Sequence, residues 1–330
     1  MRHVHHYVDG RTGAVCAEPL LADTALHVLY HPLREHAPAL FRAFTGARLS
    51  RWLGALQYDR PLRAGWTRAV PAETRRECLD DPRQFRTRRQ WFERRLRYWE
   101  CRPMSDDPAA IVSPADARVC IGSLREQDLF FIKRKFFGYY ELLVAGRIEW
   151  RTAFDRGDVA ILRLTPDRYH YAHTPVSGVV KDVYEINGAY HACNPDAVIA
   201  MATPFSKNRR RVTVIDTDCI GGTGAGLVAL IEIVALMVGD LVPAYSERRY
   251  EHPAPLRPGM LVRKGFPCSL FRPGSSTVVL LFQPNRMAFT PALRRTVRRR
   301  DVASRFSDGF GFPLVETDMQ VRAPLGRAFR

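Results

Sequence analysis

Phe271-Arg272-Pro273-Gly274-Ser275-Ser276-Thr277-Val278-Val279-Leu280-Leu281-Phe282 sets a tight Pro-Gly turn directly before a β-branched, apolar run. Such a run, bounded by turn residues, predicts a buried strand. Two adjacent serines stand at the junction of loop and strand. There a hydroxyl can be held rigidly against the carbonyl of the preceding peptide, which suits an attack by the chain on its own backbone. The peptide becomes an ester, and elimination leaves a carbonyl group at a new N-terminus. The plainer alternative is that Ser-Ser-Thr only begins a strand, as these residues commonly do after turns.

Two upstream stretches bear on that choice: Ser113-Pro114-Ala115-Asp116, and Tyr169-His170-Tyr171-Ala172-His173-Thr174-Pro175. Together with the serine stretch they resemble the phosphatidylserine decarboxylases in order and spacing. In that family the self-cleaving motif reads LGST or GGST, followed by a strand like Val278 to Phe282. Placing Thr277-Val278-Val279 on the family's TVV or TVI puts the pyruvoyl-forming serine at Ser276, with cleavage between Ser275 and Ser276. Ser113 to Val119 resembles S-P-x-D-G-x-V, with Ala117 in place of the glycine, and Tyr169 to Pro175 resembles Y-H-R-x-H-x-P. The resemblance weakens toward the ends but includes Tyr7 to Gly13 and Val315 to Arg322.

The resemblance implies a proenzyme in which Asp116 and His173 activate Ser276 for self-cleavage. The products are a larger β subunit ending at Ser275 and a small α subunit opening with the pyruvoyl group made from Ser276. It further implies conversion of phosphatidylserine to phosphatidylethanolamine and CO2, with the pyruvoyl carbonyl as electron sink and no free cofactor. His170 is the candidate acid that returns a proton to the product. The chief departure is Ser275, where the family has a glycine that leaves room for the attacking hydroxyl. Three outcomes stay open: attack by Ser276, attack by Ser275, or an uncleaved chain. In the last case the protein is a non-catalytic, decarboxylase-like binder of anionic phospholipid.

Charge points to an anionic partner. The 330 residues carry a formal +16, almost all of it from arginine, which grips phosphate and carboxylate oxygens in pairs. Nucleic acid is the rival partner, but no RNA-binding motif accompanies the charge, and none is expected to bind. Seven cysteines occur singly, which excludes a zinc knuckle or a disulfide framework. His3, His5 and His6 cluster at the terminus, but no metal site is expected. The apolar stretch Gly226 to Val242 carries Glu232 and reads as a strand pair rather than a membrane span. With no signal-like N-terminus, the expected location is peripheral, on the cytoplasmic face of the cell membrane. A homodimer is left open.

The fold class expected is α+β, an N-terminal helical layer packed on a β-rich core. Residues 1–107 are read as the arginine-rich, membrane-facing helical region and 108–330 as the catalytic core. Leu20 to Tyr30 and Leu40 to Leu56 have helical apolar spacing; the stripe Leu49, Trp52, Leu53, Leu56 fits either the protein's own core or a bilayer's headgroup region. Arg86 to Arg97, without glycine or proline, predicts one helix. Val179 to Tyr190 predicts a hairpin around Asn187-Gly188, with His191 either lining the substrate cleft or on the surface. Gly221-Gly222-Thr223-Gly224 lacks the lysine and helix start of a phosphate loop and predicts a turn.

Overall fold

Every residue of the Ser276–Phe282 strand is buried, because valine and leucine face the core on both sides of the sheet it runs through. The computed structural model describes residues 4–124, 131–132, 135–136, 139–143, 147–201, 204–237, 240–274 and 276–329. Among the described residues ten strands form the main sheet. In spatial order they are Leu261–Val262, Gly178–Ile186, Arg210–Asp216, Leu227–Val234, Ser276–Phe282, Asp158–Leu164, Ala117–Ser123, Thr317–Met319, His6–Asp9 and Val15–Ala17. All neighbours are antiparallel except His6–Asp9 beside Thr317–Met319. A three-stranded sheet of Leu241–Pro243, Pro267–Phe271 and Tyr171–His173 adjoins it.

Helices cover one end of this core, and the α+β class holds. Asp23–Val28 runs into a π-helical turn, Leu29–Leu33, whose wider spacing accommodates Pro32. Pro38–Phe44 and Ala47–Tyr58 follow. The stretch Gly226 to Val242 folds as the two strands Leu227–Val234 and Leu241–Pro243, and among the described residues no helix is long and apolar enough to cross a membrane.

Several expectations are corrected. The first 107 residues are not purely helical, since His6–Asp9 and Val15–Ala17 belong to the main sheet. A buried charge cluster draws them there: Arg163 Nη2 lies 2.6 Å from Glu18 and 2.5 Å from Glu316, and His5 Nε2 lies 2.9 Å from Glu316.

Arg86 to Arg97 is not one helix. A Thr87 capping box starts Arg88–Phe92, and the chain then turns so that Leu96 can bridge Cys78 and meet the Tyr250 hydroxyl. No hairpin forms at Asn187-Gly188, because Gly178–Ile186 pairs with the distant Arg210–Asp216. Gly188 instead allows close approach, since a Cβ there would meet the Lys207 carbonyl oxygen at 2.3 Å. On Ala47–Tyr58 it is Ser50 and Gly54 that are buried, while Trp52 and Leu56 are 57% and 48% exposed.

Candidate active site

Three adjacent strands bring the serine and the aspartate to one end of the main sheet. Ser276 pairs with Leu164, and Arg163 pairs with both Thr277 and Arg118, so the turn carrying Asp116 opens at the same end as Ser276. One strand lies between them, a separation of about 10 Å at ordinary strand spacing. The histidines reach this end through the loop that follows Leu164. The Phe271 amide donates to the His170 carbonyl at 3.0 Å, and the His173 amide donates to the Pro114 carbonyl at 2.7 Å. The sequence-predicted residues therefore share one neighbourhood.

Ser276 is fully buried, and its Oγ has no hydrogen-bond partner among the described residues. Its backbone carbonyl accepts from the Cys193 thiol at 3.6 Å. Gly274 in the preceding turn has φ +142°, which favours glycine, and Ser275 lies outside the described residues. Ala117, where the family has glycine, is an ordinary strand residue outside the positive-φ region, so this departure introduces no strain.

His173 is buried between two partners. Its Nδ1 lies 3.0 Å from the Gly265 carbonyl and its Nε2 2.9 Å from the Tyr169 hydroxyl. A neutral ring then carries its proton on Nδ1 and accepts from Tyr169 at Nε2. Burial foremost pushes its pKa down to about 3. His170 is likewise pushed down to about 3, by burial first and the Arg94 charge second. It stacks on Phe92 at 3.6 Å and donates from Nδ1 to the Arg168 carbonyl at 2.8 Å, leaving Nε2 buried with no partner among the described residues.

Asp116 is held by other hands than His173. Its Oδ1 accepts the Val321 amide at 2.7 Å, and Arg102 donates to both oxygens at 3.2 and 2.9 Å. Burial pushes the carboxyl up, but the Arg102 charge and hydrogen bonds, with the Val321 amide, outweigh it and hold the pKa below the ordinary value. Among the described residues no hydrogen bond joins Asp116 to His173, or His173 to Ser276. A backbone carbonyl, not the carboxylate, sets the His173 tautomer.

Helical-layer side chains close over this end. Tyr58 packs on Phe92, the Ser50 hydroxyl accepts the Met237 amide at 2.7 Å, and Arg272 pairs with Glu93 at 3.3 Å. His191 is buried rather than on the surface, stacked on Phe41, and Asn208 bonds both its backbone amide and its carbonyl at 2.8 Å. Sequence reasoning missed Arg102, Cys193 and the partnership of Tyr169 with Tyr250, whose hydroxyls lie 2.7 Å apart. Tyr169 sat inside a quoted motif. Nothing local marked Arg102 among so many arginines.

Known proteins supply an independent comparison. Residues 89–300 match the family model described as phosphatidylserine decarboxylase. The chain is 31% identical over 227 residues to the phosphatidylserine decarboxylase proenzyme of Bordetella avium, covering 67% of this chain and 75% of that one. To the proenzyme of Chlamydia muridarum it is 31% identical over 288 residues, covering 86% and 88%. Proenzyme 3 of Schizosaccharomyces pombe matches at 31% over 219 residues, 66% of this chain and 21% of that one. The matched region takes in Asp116, both histidines and Ser276, and the chain belongs to the phosphatidylserine decarboxylase family.

Proposed function

We propose that the chain is a self-processing phosphatidylserine decarboxylase whose reactive group is a pyruvoyl made from Ser276, releasing CO2 and phosphatidylethanolamine. The observation that carries this reading is the buried, unpartnered Ser276 hydroxyl at the start of a central strand. A buried polar atom without a partner costs about 1–3 kcal/mol and persists where function requires it.

In the self-cleavage, His173 takes the Ser276 hydroxyl proton as the oxygen adds to the Ser275 carbonyl carbon. The C–N bond breaks as the ester C–O bond forms, and the amine of residue 276 takes up the proton. Loss of the Cα proton of residue 276 then breaks its Cβ–O bond, and Ser275 departs as a carboxylate. A proton added to the terminal carbon turns the resulting enamine into an imine, and water replaces its nitrogen, which leaves as ammonia. For His173 to act, the Tyr169 hydroxyl must yield Nε2. Asp116, kept ionised by Arg102, favours the imidazolium through space.

The group fits its surroundings, because Ser276 is enclosed and the Cys193 thiol already donates to its carbonyl. Once formed it supplies a carbonyl that accepts the electrons released with CO2. The buried Nε2 of His170 holds a lone pair in the neutral ring, so it returns a proton to the product only after taking one up from the incoming substrate ammonium. The two pieces stay together because the Ser276–Phe282 strand is bonded on both sides to strands of the larger piece.

Peripheral contact with the cytoplasmic face of the cell membrane is part of the proposal. Exposed Leu40, Trp52 and Leu56, with exposed Arg48 and Arg51, present apolar and cationic groups on the layer that covers the site. Intact mass tests the reading. Incubation with phosphatidylserine vesicles should yield two fragments, the smaller of about 6 kDa and blocked to Edman sequencing. Ser276→Ala should remain whole, whereas Ser275→Ala should still cleave. A wild-type chain that stays at full mass yet sediments with the vesicles would instead be a non-catalytic lipid binder.

A further inference from the structure

His27 and His31 stand one turn apart, the first in Asp23–Val28 and the second in the π-helical Leu29–Leu33. Their ring centroids are 4.2 Å apart, with the planes tilted by 34°. Asp196 faces them from the Pro195–Met201 helix, its Oδ2 3.0 Å from His27 Nδ1. One ligand atom from each residue lies within 4.8 Å of the other two. We propose that His27, His31 and Asp196 form a binding site for a divalent transition-metal ion of the zinc type.

The donor set and spacing suit that ion. Two imidazoles and a carboxylate, with a fourth position open to water, are a three-ligand zinc arrangement. Around a tetrahedral ion with bonds of 2.0–2.1 Å, neighbouring ligand atoms stand about 3.3 Å apart. The observed 3.0 Å gap between His27 and Asp196 needs to widen by a few tenths of an ångström, and the His31 atom, within 4.8 Å of both, closes in by at most about 1.5 Å through side-chain rotation. Imidazole ligands disfavour calcium and magnesium, which prefer all-oxygen sites. Access is open, since the His27 side chain is 38% exposed.

A plain histidine–carboxylate pair accounts for His27 and Asp196 but leaves His31 unexplained. Among the described residues no hydrogen bond reaches a ring nitrogen of His31, although it stands against that pair. An ion gives it a role as third ligand. The carboxylate is also braced from behind, as metal ligands are. Arg305 donates to Asp196 Oδ1 at 3.3 Å, and the Asp196 amide donates to Asn194 Oδ1 at 2.8 Å. Arg305 is itself paired with Asp23 at 2.8 and 2.9 Å, so its charge is compensated.

The position gives the site a consequence. His27 and His31 belong to the helical layer, whereas Asp196 lies three residues after Cys193, whose thiol touches the Ser276 carbonyl. A bound ion therefore ties the covering layer to the segment beside Ser276. Its binding does not depend on self-cleavage.

The test uses the full chain, stripped with EDTA and titrated with Zn2+ by calorimetry and with Co2+ by visible absorption. One Zn2+ per chain should bind with Kd below about 10 µM, and Co2+ should give the absorption of a four- or five-coordinate ion. The melting temperature should rise by about 4 °C at a hundredfold excess over Kd. His31→Gln and Asp196→Asn should each weaken binding at least tenfold, while His6→Gln, on a separate strand, should leave it unchanged. Weaker wild-type binding, or either site variant binding within tenfold of wild type, would overturn the proposal.

Discussion

Arg102 grips both carboxylate oxygens of Asp116, Nε to Oδ1 at 3.2 Å and Nη2 to Oδ2 at 2.9 Å, with each side chain only 5% exposed. The carboxylate thus has a committed cation before any imidazole becomes charged. Removing one partner of a buried pair leaves an uncompensated charge, at a cost of about 3–5 kcal/mol. Arg102→Met should lose stability of that order in urea unfolding at pH 7 and should slow self-cleavage. Adding Asp116→Asn should recover at least half of the lost stability; a double variant no better than the single one would show that the two residues are not energetically coupled.

Tyr169 competes for the nitrogen that His173 needs. Its hydroxyl occupies Nε2 at 2.9 Å. Tyr169→Phe should destabilise the fold by about 1–3 kcal/mol, because that nitrogen is left buried and unpaired. The same change should speed self-cleavage, read as the first-order decay of the full-length band. Slower decay would mean that the hydroxyl carries the proton instead of blocking it.

Acid should unfold the protein through its histidines. His170 and His173 are pushed down to about 3 in the folded chain and His191 to about 4, from 6.5 ordinarily, burial being the first cause in each. Between about pH 6.5 and 4 the unfolded chain holds three imidazole protons that the folded chain does not, and two from there down to about 3. The histidine contribution is therefore constant above about pH 7 and falls as pH drops through the window from 6.5 to 3, by up to about 4 kcal/mol per unit. Asp116, with its pKa lowered from 3.8, contributes stability above that value that is lost as pH falls through its folded pKa. Urea midpoints at pH 7, 6 and 5 should show the decline, and His170→Gln should cut its slope by about a third.

The two faces of the Ala47–Tyr58 helix should respond oppositely. Trp52→Glu, at an exposed position, should leave stability within about 0.5 kcal/mol and reduce sedimentation with anionic vesicles. Gly54→Ala, which elsewhere in a helix is stabilising, puts a Cβ 2.3 Å from the Met237 carbonyl oxygen and should destabilise by about 1–3 kcal/mol. Thermal melts and vesicle sedimentation on both variants separate these effects.

Strand positions were legible wherever a run was buried on both faces. Val278 to Phe282 announces itself because valine and leucine fill every position up to the closing phenylalanine. Elements whose order depends on distant partners were not legible. Arg86 to Arg97 has continuous helical propensity, yet it breaks after Phe92 because Leu96 makes an antiparallel bridge to Cys78. The stripe of Trp52 and Leu56 looks like a core face by periodicity, but the tighter contact goes to small Ser50 and Gly54, which allow the helix to approach residue 237. His27, His31 and Asp196 escaped notice because the third residue arrives from a helix far along the chain.

By itself the sequence determined the α+β class, the central strand, the turn that presents the serines, and the residue types gathered around them, since these follow from local periodicity and motif order. Only the tertiary structure decided who holds whom. Asp116 went to Arg102 and the Val321 amide, and His173 went to the Gly265 carbonyl and Tyr169. Buried charges and imidazoles must satisfy their hydrogen bonds with whatever groups packing brings within 3 Å, and those groups come from segments that no local pattern connects.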